Sequence, residues 1–232
     1  MYSCISQSNL QHLPCIDLQD FNPGITVVEG SSVMVPEVLY RLCAASVISF
    51  DRDAIFVDGW NSFNPYALSK LAKSLGALPK KVLSRIHVAR GFTEYQMDAL
   101  LGESLCEAVE AWHPAVLAIS YLPSLFSGVD GRRMFEPVLE RIKSLTASSG
   151  IITVITSFGG SWHGDRLLAA MADRIVRIEQ PSKKLIKITD NGRVFEYMPV
   201  PSGQMRFTDY INVDFTGGEV YGQDSTQLSQ PA

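Results

Sequence analysis

Gly24-Ile25-Thr26-Val27-Val28-Glu29-Gly30, continued by Ser31-Ser32-Val33-Met34-Val35-Pro36-Glu37 and the apolar run from Val38 to Val47, decides the fold. The first part is a β-branched run bounded by glycines, as in a strand buried on both faces. The last part is long enough and apolar enough for a buried helix, and only a tight loop lies between the two. Strand, tight loop and helix in that order form the unit in which a nucleotide-binding protein places its phosphate loop.

The same unit repeats down the chain. Ala54-Ile55-Phe56-Val57-Asp58, Ile86-His87-Val88-Ala89-Arg90, Ala115-Val116-Leu117-Ala118-Ile119 and Ile151-Ile152-Thr153-Val154-Ile155 are short apolar runs that predict four more strands. Between them lie helical patterns. Leu68, Leu71, Ala72 and Leu75 recur at helical spacing and stop at Gly76, Lys80 to Arg85 adds a short piece, Thr93 caps a helix running to about Ala111, and Arg132 to Ser148 carries Phe135, Val138, Leu139, Ile142 and Leu145 on one face. Alternating strands and helices call for an α/β fold with a central, mostly parallel, twisted sheet flanked by helices. From Asp173 the pattern changes to three alternating segments, 174–178, 184–188 and 193–197, with a hairpin at Asn191-Gly192, which predicts a C-terminal antiparallel β meander. The expected organisation is a lead-in over 1–23, in which Cys15 to Leu18 pairs at a sheet edge, a core domain over 24–200, and an extension over 201–232, flexible from about 216.

Composition narrows the function classes. With 46% hydrophobic residues the chain can bury one substantial core, and its net charge of −4 gives no global reason to bind nucleic acid, so any such contact must be local. The four cysteines, Cys4, Cys15, Cys43 and Cys106, form no C-x-x-C pair, so neither a zinc site nor a disulfide framework is indicated. No stretch has the features of a signal peptide or a membrane span, and a cytoplasmic protein is expected.

Three strings carry a resemblance: Ile25-Thr26-Val27-Val28-Glu29-Gly30, Phe56-Val57-Asp58-Gly59-Trp60-Asn61-Ser62-Phe63-Asn64-Pro65 and Ile86-His87-Val88-Ala89-Arg90-Gly91-Phe92-Thr93-Glu94-Tyr95-Gln96. Over roughly residues 15 to 200 the chain resembles the ATPase core of the RecA/RadA recombinase superfamily, in particular its archaeal RadA and RadB branch. Weaker matches follow in register at Leu117 to Phe126 and Thr153 to Ser157. The resemblance implies a RecA-like P-loop NTPase fold.

It also implies four pieces of chemistry, and each is missing. A phosphate loop has the form G-x-x-x-x-G-K-[ST], in which glycines let backbone N–H groups wrap the phosphates, lysine neutralises charge and the hydroxyl holds magnesium. In Gly30-Ser31-Ser32-Val33-Met34-Val35-Pro36-Glu37, Val35 stands for the second glycine, Pro36 for the lysine and Glu37 for the hydroxyl. A carboxylate at about 4 Å from a phosphate costs on the order of 4 kcal/mol at an effective dielectric near 20. Trp60 stands where the family has the acid that orients water, Ser120 where it has the magnesium aspartate, and Phe158 where a polar residue senses the γ-phosphate. A degenerate, pseudo-ATPase core is expected, with ATP and magnesium not bound and no metal or other cofactor. Pro36 and Glu37 suit an ordinary helix start. Asp58 fits a hydrogen-bonded strand-end carboxylate, His87 a satisfied core histidine, and Trp60 and Phe158 fill the vacated pocket.

What remains for function is binding. In this family the loops after the fourth and fifth strands face DNA, which here makes Arg132 and Arg133 candidates for phosphate contact and Trp162, with His163 beside it, a candidate for base stacking in single-stranded DNA. The lead-in has no F-x-x-A motif of the kind that links recombinase filaments, so the expected protein partner is an active recombinase paralogue or a second copy. The leading expectation is an accessory or regulatory binding protein in DNA recombination or repair. The alternatives are an enzyme with a small-ligand pocket rebuilt from Ser31, Ser32, Asp58 and Ser120, or a KaiC-like signalling or scaffold module without a DNA role.

Overall fold

The computed structural model describes residues 20–198 apart from 33, 161, 183 and 184; the expectations for Cys15–Leu18 and for 201–232 lie outside the described residues. The elements, in chain order, are β1 (Gly24–Glu29), α1 (Met34–Ser49), β2 (Ala54–Asp58), α2 (Pro65–Ser74), α3 (Pro79–Leu83), β3 (Ile86–Arg90), α4 (Glu94–Ala99), α5 (Leu105–Trp112), β4 (Val116–Ser120), α6 (Leu122–Leu125), α7 (Val129–Ser149), β5 (Ile152–Ser157), α8 (His163–Met171), β6 (Arg174–Ser182), β7 (Leu185–Asp190) and β8 (Arg193–Tyr197).

The strands form one eight-stranded sheet in the order β3-β2-β4-β5-β1-β6-β7-β8. All pairings from β3 to β6 are parallel, and β6, β7 and β8 close the sheet as the expected antiparallel meander. Asn191 and Gly192 both take positive φ, 47° and 77°, which is what a two-residue hairpin turn demands. Helices cover both faces. Successive strand residues point to opposite sides, so Val28, Phe56 and Ala118 pack with α1, α2 and α3, while Val27, Val57 and Ile119 pack with α4 to α8. Among the described residues no helix is long and apolar enough to cross a membrane.

Local signals explain the borders. Asn64 caps α2 by accepting from the N–H groups of Tyr66 and Ala67, Pro65 fills the first helical position, and Gly76 leaves the helix at a φ of 71°. Thr93 caps α4 through Gln96 N–H, but the Gln96 side chain accepts from Phe92 N–H, one residue earlier than a capping box would have it. Cys43 is buried in α1, and burial pushes its thiol up to about 12, so it packs as a small hydrophobe.

Several expected boundaries move. The helix from Thr93 to Ala111 is broken: α4 and α5 are joined by a π-helical turn at Leu100–Ser104, with Gly102 at non-helical angles. The helix expected from Arg132 begins at Val129, because Gly128 in extended conformation starts it one turn earlier. Two helices have no counterpart in the sequence reading, α6 and α8. The first is only four residues long, and the second carries an apolar face of Leu167, Leu168 and Met171 too short to stand out from its glycine-rich approach.

Gly30 ends β1 at a φ of 150°, and a Cβ there would lie 2.1 Å from the carbonyl oxygen of Ile178 in β6. Gly30→Ala is therefore expected to lower stability by at least about 2 kcal/mol, because backbone strain adds to a clash with main chain that cannot swing away. Urea unfolding of the variant measures this, and a midpoint equal to that of the parent would contradict it.

Candidate functional site

Parallel α/β sheets bind ligands beyond the carboxyl ends of strands where the winding reverses direction. From β1 the chain crosses to β2 on one side, and from neighbouring β5 it crosses to β6 on the other, so the ends of β1 and β5 flank one such point. The ends of β2 and β4 flank another, since β2 leads outward to β3 and β4 leads back to β5.

At the first point the loop after β1 is closed on itself. Gly30 N–H bonds to the Ser157 carbonyl at 2.9 Å. Met34 N–H donates to Ser32 Oγ and Val35 N–H to the Ser32 carbonyl, at 3.2 and 3.0 Å, and the Ser32 hydroxyl donates to Gln180 Oε1. Those N–H groups, at the start of α1, are the ones a phosphate would need. Pro36, third in the helix, has none. Val35 is fully buried, and Glu37 pairs with Arg41 one turn on, at 3.2 Å. The loop itself fits a nucleotide with magnesium poorly: Ser32 takes up the N–H groups of Met34 and Val35, Pro36 supplies none, no lysine stands in the loop, and the first turn of α1 carries a carboxylate.

At the second point Asp58 is fully buried and saturated with donors. Its Oδ1 accepts from Ser120 Oγ at 2.8 Å, from the N–H groups of Trp60 and Ser62, and from the Ser62 hydroxyl. Its Oδ2 accepts from Phe63 N–H at 3.1 Å and from Arg90 Nε and Nη2 at 3.0 and 2.8 Å. Burial alone would push this carboxyl up; the hydrogen bonds to Ser62, Phe63, Ser120 and Trp60 outweigh it and hold Asp58 below the usual range. Tyr40 adds a strut by donating to the Ser62 carbonyl and accepting from Asn64 N–H. Neither Asp58 nor Ser120 is left free for a ligand. At ordinary strand spacing Asp58 on β2 lies about 14 Å from β1, which leads to Ser31 and Ser32, and Ser120 on β4 about 10 Å, so the four residues of the rebuilt-pocket expectation do not converge.

Trp60 and Phe158 do not fill a pocket, contrary to the sequence expectation. They meet edge-on at 5.3 Å, Phe158 stacks on buried Tyr121 at 4.2 Å, and both stay exposed, at 54% and 39%. Phe92 and Tyr95, beyond β3, are exposed as well. Trp60, Phe158 and Tyr121 make a ledge of aromatic rings at the carboxyl edge. Beside Phe158 an open pocket of about 570 Å³ runs along the ends of β1, β5 and β6.

The DNA candidates divide. Arg132, Arg133 and His163 are exposed, at the starts of α7 and α8. Trp162 packs against Phe135 with ring centroids 5.6 Å apart and covers Gly164, so its ring is committed to the core rather than presented for a base. His87 has the hydrogen-bond partner expected, Asp53 at 2.7 Å, and stacks flat on Trp112, but it lies half-buried on edge strand β3 rather than in the core. Among the described residues no three metal-ligating side chains gather.

Two features escape a linear reading. Arg90 is the charge partner of Asp58, and Glu29, almost buried, is held by Arg177 through Nε and Nη2 at 3.2 and 2.9 Å. In both cases the partners face each other in strand register, Asp58 with Arg90 and Glu29 with Arg177. The sequence signal is a charge at the ends of β1, β2 and β3 and an arginine within the alternating run of β6. No model of a known protein family matches the chain.

Asp58→Asn is expected to cost about 3 kcal/mol, since it strands the Arg90 guanidinium and weakens the turn at Trp60–Phe63. Because the carboxyl is held below its ordinary value, its contribution is fully present above the ordinary aspartate range and is lost as pH falls through the lowered folded value. Denaturation midpoints from neutral to acid pH should therefore converge for parent and variant; a constant gap down to the most acid point would refute this role.

Proposed function

We propose that the chain is a catalytically inactive RecA/RadA-like paralogue, a pseudo-ATPase that acts as an accessory or regulatory binding protein in DNA recombination or repair. The observation that carries this reading is the closed helix start after β1, where Ser32 takes up the N–H groups of Met34 and Val35 and Pro36 supplies none. Strand-loop-helix geometry is kept, while two N–H groups at the helix start are taken by Ser32 and the lysine and hydroxyl positions of a phosphate loop hold Pro36 and Glu37. The strand order and the two reversal points at the carboxyl edge support the same reading, because they put the altered residues where a P-loop enzyme would react.

Function then falls to surfaces rather than to chemistry. Exposed Trp60, Phe92 and Phe158 at the carboxyl edge favour a protein partner, most naturally an active recombinase paralogue or a second copy, in the cytoplasmic compartment. Arg132, Arg133 and His163 offer a weaker contact with single-stranded DNA.

Incubation with MgATP should release no phosphate above a protein-free blank, and calorimetry should detect no MgATP heat. Affinity capture from native extract should recover a recombinase paralogue. MgATP binding together with turnover that disappears in Asp58→Asn would overturn the proposal, as would capture without any recombinase.

A further inference from the structure

Phe158 belongs to two features at once. It forms the aromatic ledge with Trp60, and it lines the pocket at the ends of β1, β5 and β6. Among the described residues four charged side chains line that pocket: Glu29, Arg177, Glu179 and Lys187. Their arrangement is uneven. The Glu29 side chain is only 9% exposed and grips Arg177 from the sheet, while the Arg177 side chain remains 55% exposed. A guanidinium carries five N–H donors, and Glu29 engages one on Nε and one on Nη2, so the fork is oriented and most of its donors remain. Lys187 and Glu179 are a loose pair at 3.9 Å, both substantially exposed.

We propose that ledge and pocket form one docking groove for an extended segment of a protein partner that carries an aromatic or large apolar side chain next to a carboxylate. The ring lies on Trp60 and Phe158, and the carboxylate is taken by Arg177 with Lys187 as second donor. This rests on the reading of the chain as a partner-binding protein. An oriented guanidinium is suited to a planar carboxylate, and a charge-assisted contact of this kind is among the stronger polar interactions. A nucleic-acid strand fits less well, because the four lining charges sum to zero and a polyanion gains from net positive charge rather than from one fork. Glu179 opposes the incoming carboxylate, so its removal strengthens binding.

The test uses the full chain and fluorescein-labelled peptides containing Asp-Phe, Lys-Phe or Asp-Ala in a neutral Gly-Ser frame, read by polarisation. The Asp-Phe peptide is expected to bind about tenfold or more tightly than either other peptide, the scale of one charge-assisted contact or one stacked ring. Arg177→Gln and Phe158→Ala should each remove that preference, and Glu179→Gln, at an exposed position with no fold to lose, should tighten Asp-Phe binding. Equal binding of the Asp-Phe and Lys-Phe peptides, no effect of Glu179→Gln, or displacement of the peptide by an equimolar thymidine oligonucleotide would each overturn the groove. If a recombinase paralogue is captured as well by Arg177→Gln as by the parent, the groove fails and the partner-binding reading stands; if the parent captures none, that reading fails by itself.

Discussion

The carboxyl edge of the sheet depends on one buried carboxylate. Asp58 gathers the ends of three strands, through Ser120 on β4 and Arg90 on β3, and folds the loop after β2 around itself through the N–H groups of Trp60, Ser62 and Phe63. A buried ion with no partner is costly, and removal of one member of such a network leaves that cost uncompensated. The donors around Asp58 therefore constrain one another, and the positions of Trp60 and of the α2 cap at Asn64 follow from that constraint.

A second carboxylate repeats the arrangement. Glu29 ends β1 between Ser157 on β5 and Arg177 on β6, in register with both, as Asp58 ends β2 between Ser120 and Arg90. Strand alternation puts the two on opposite faces, Glu29 lining the pocket and Asp58 holding the loop that carries Trp60. In each case an arginine from the adjacent strand neutralises the acid, so the edge balances these two buried charges with its own side chains. The aromatic rings of Trp60 and Phe158 lie exposed at the same edge of the sheet.

Much of the fold was legible in the chain. β-Branched runs gave the five parallel strands, alternation and Asn191-Gly192 gave the meander, and Gly76 and Thr93 marked helix ends, because each of these signals acts within a few residues. α8 was not legible, since its short apolar face follows Gly159 and Gly160 and gains its stability from the sheet and α7. The site was half legible. That Val35, Pro36 and Glu37 differ from the glycine, lysine and hydroxyl of a phosphate loop is plain from residue type alone, whereas the capture of the Met34 and Val35 N–H groups by Ser32 depends on how the loop closes.

The sequence by itself determined the class of fold, the strand-loop-helix at Gly30 and the absence of the groups that hold a phosphate, because side-chain chemistry and hydrophobic period are local properties. Only the tertiary structure decided that Trp60 and Phe158 lie on the surface instead of in a pocket, that Trp162 packs on Phe135, and that Arg90 and Arg177 are the partners of Asp58 and Glu29. Those outcomes turn on which strands lie side by side and in what register, and strands that meet across 32 or 148 residues of sequence are brought together by packing of the whole sheet.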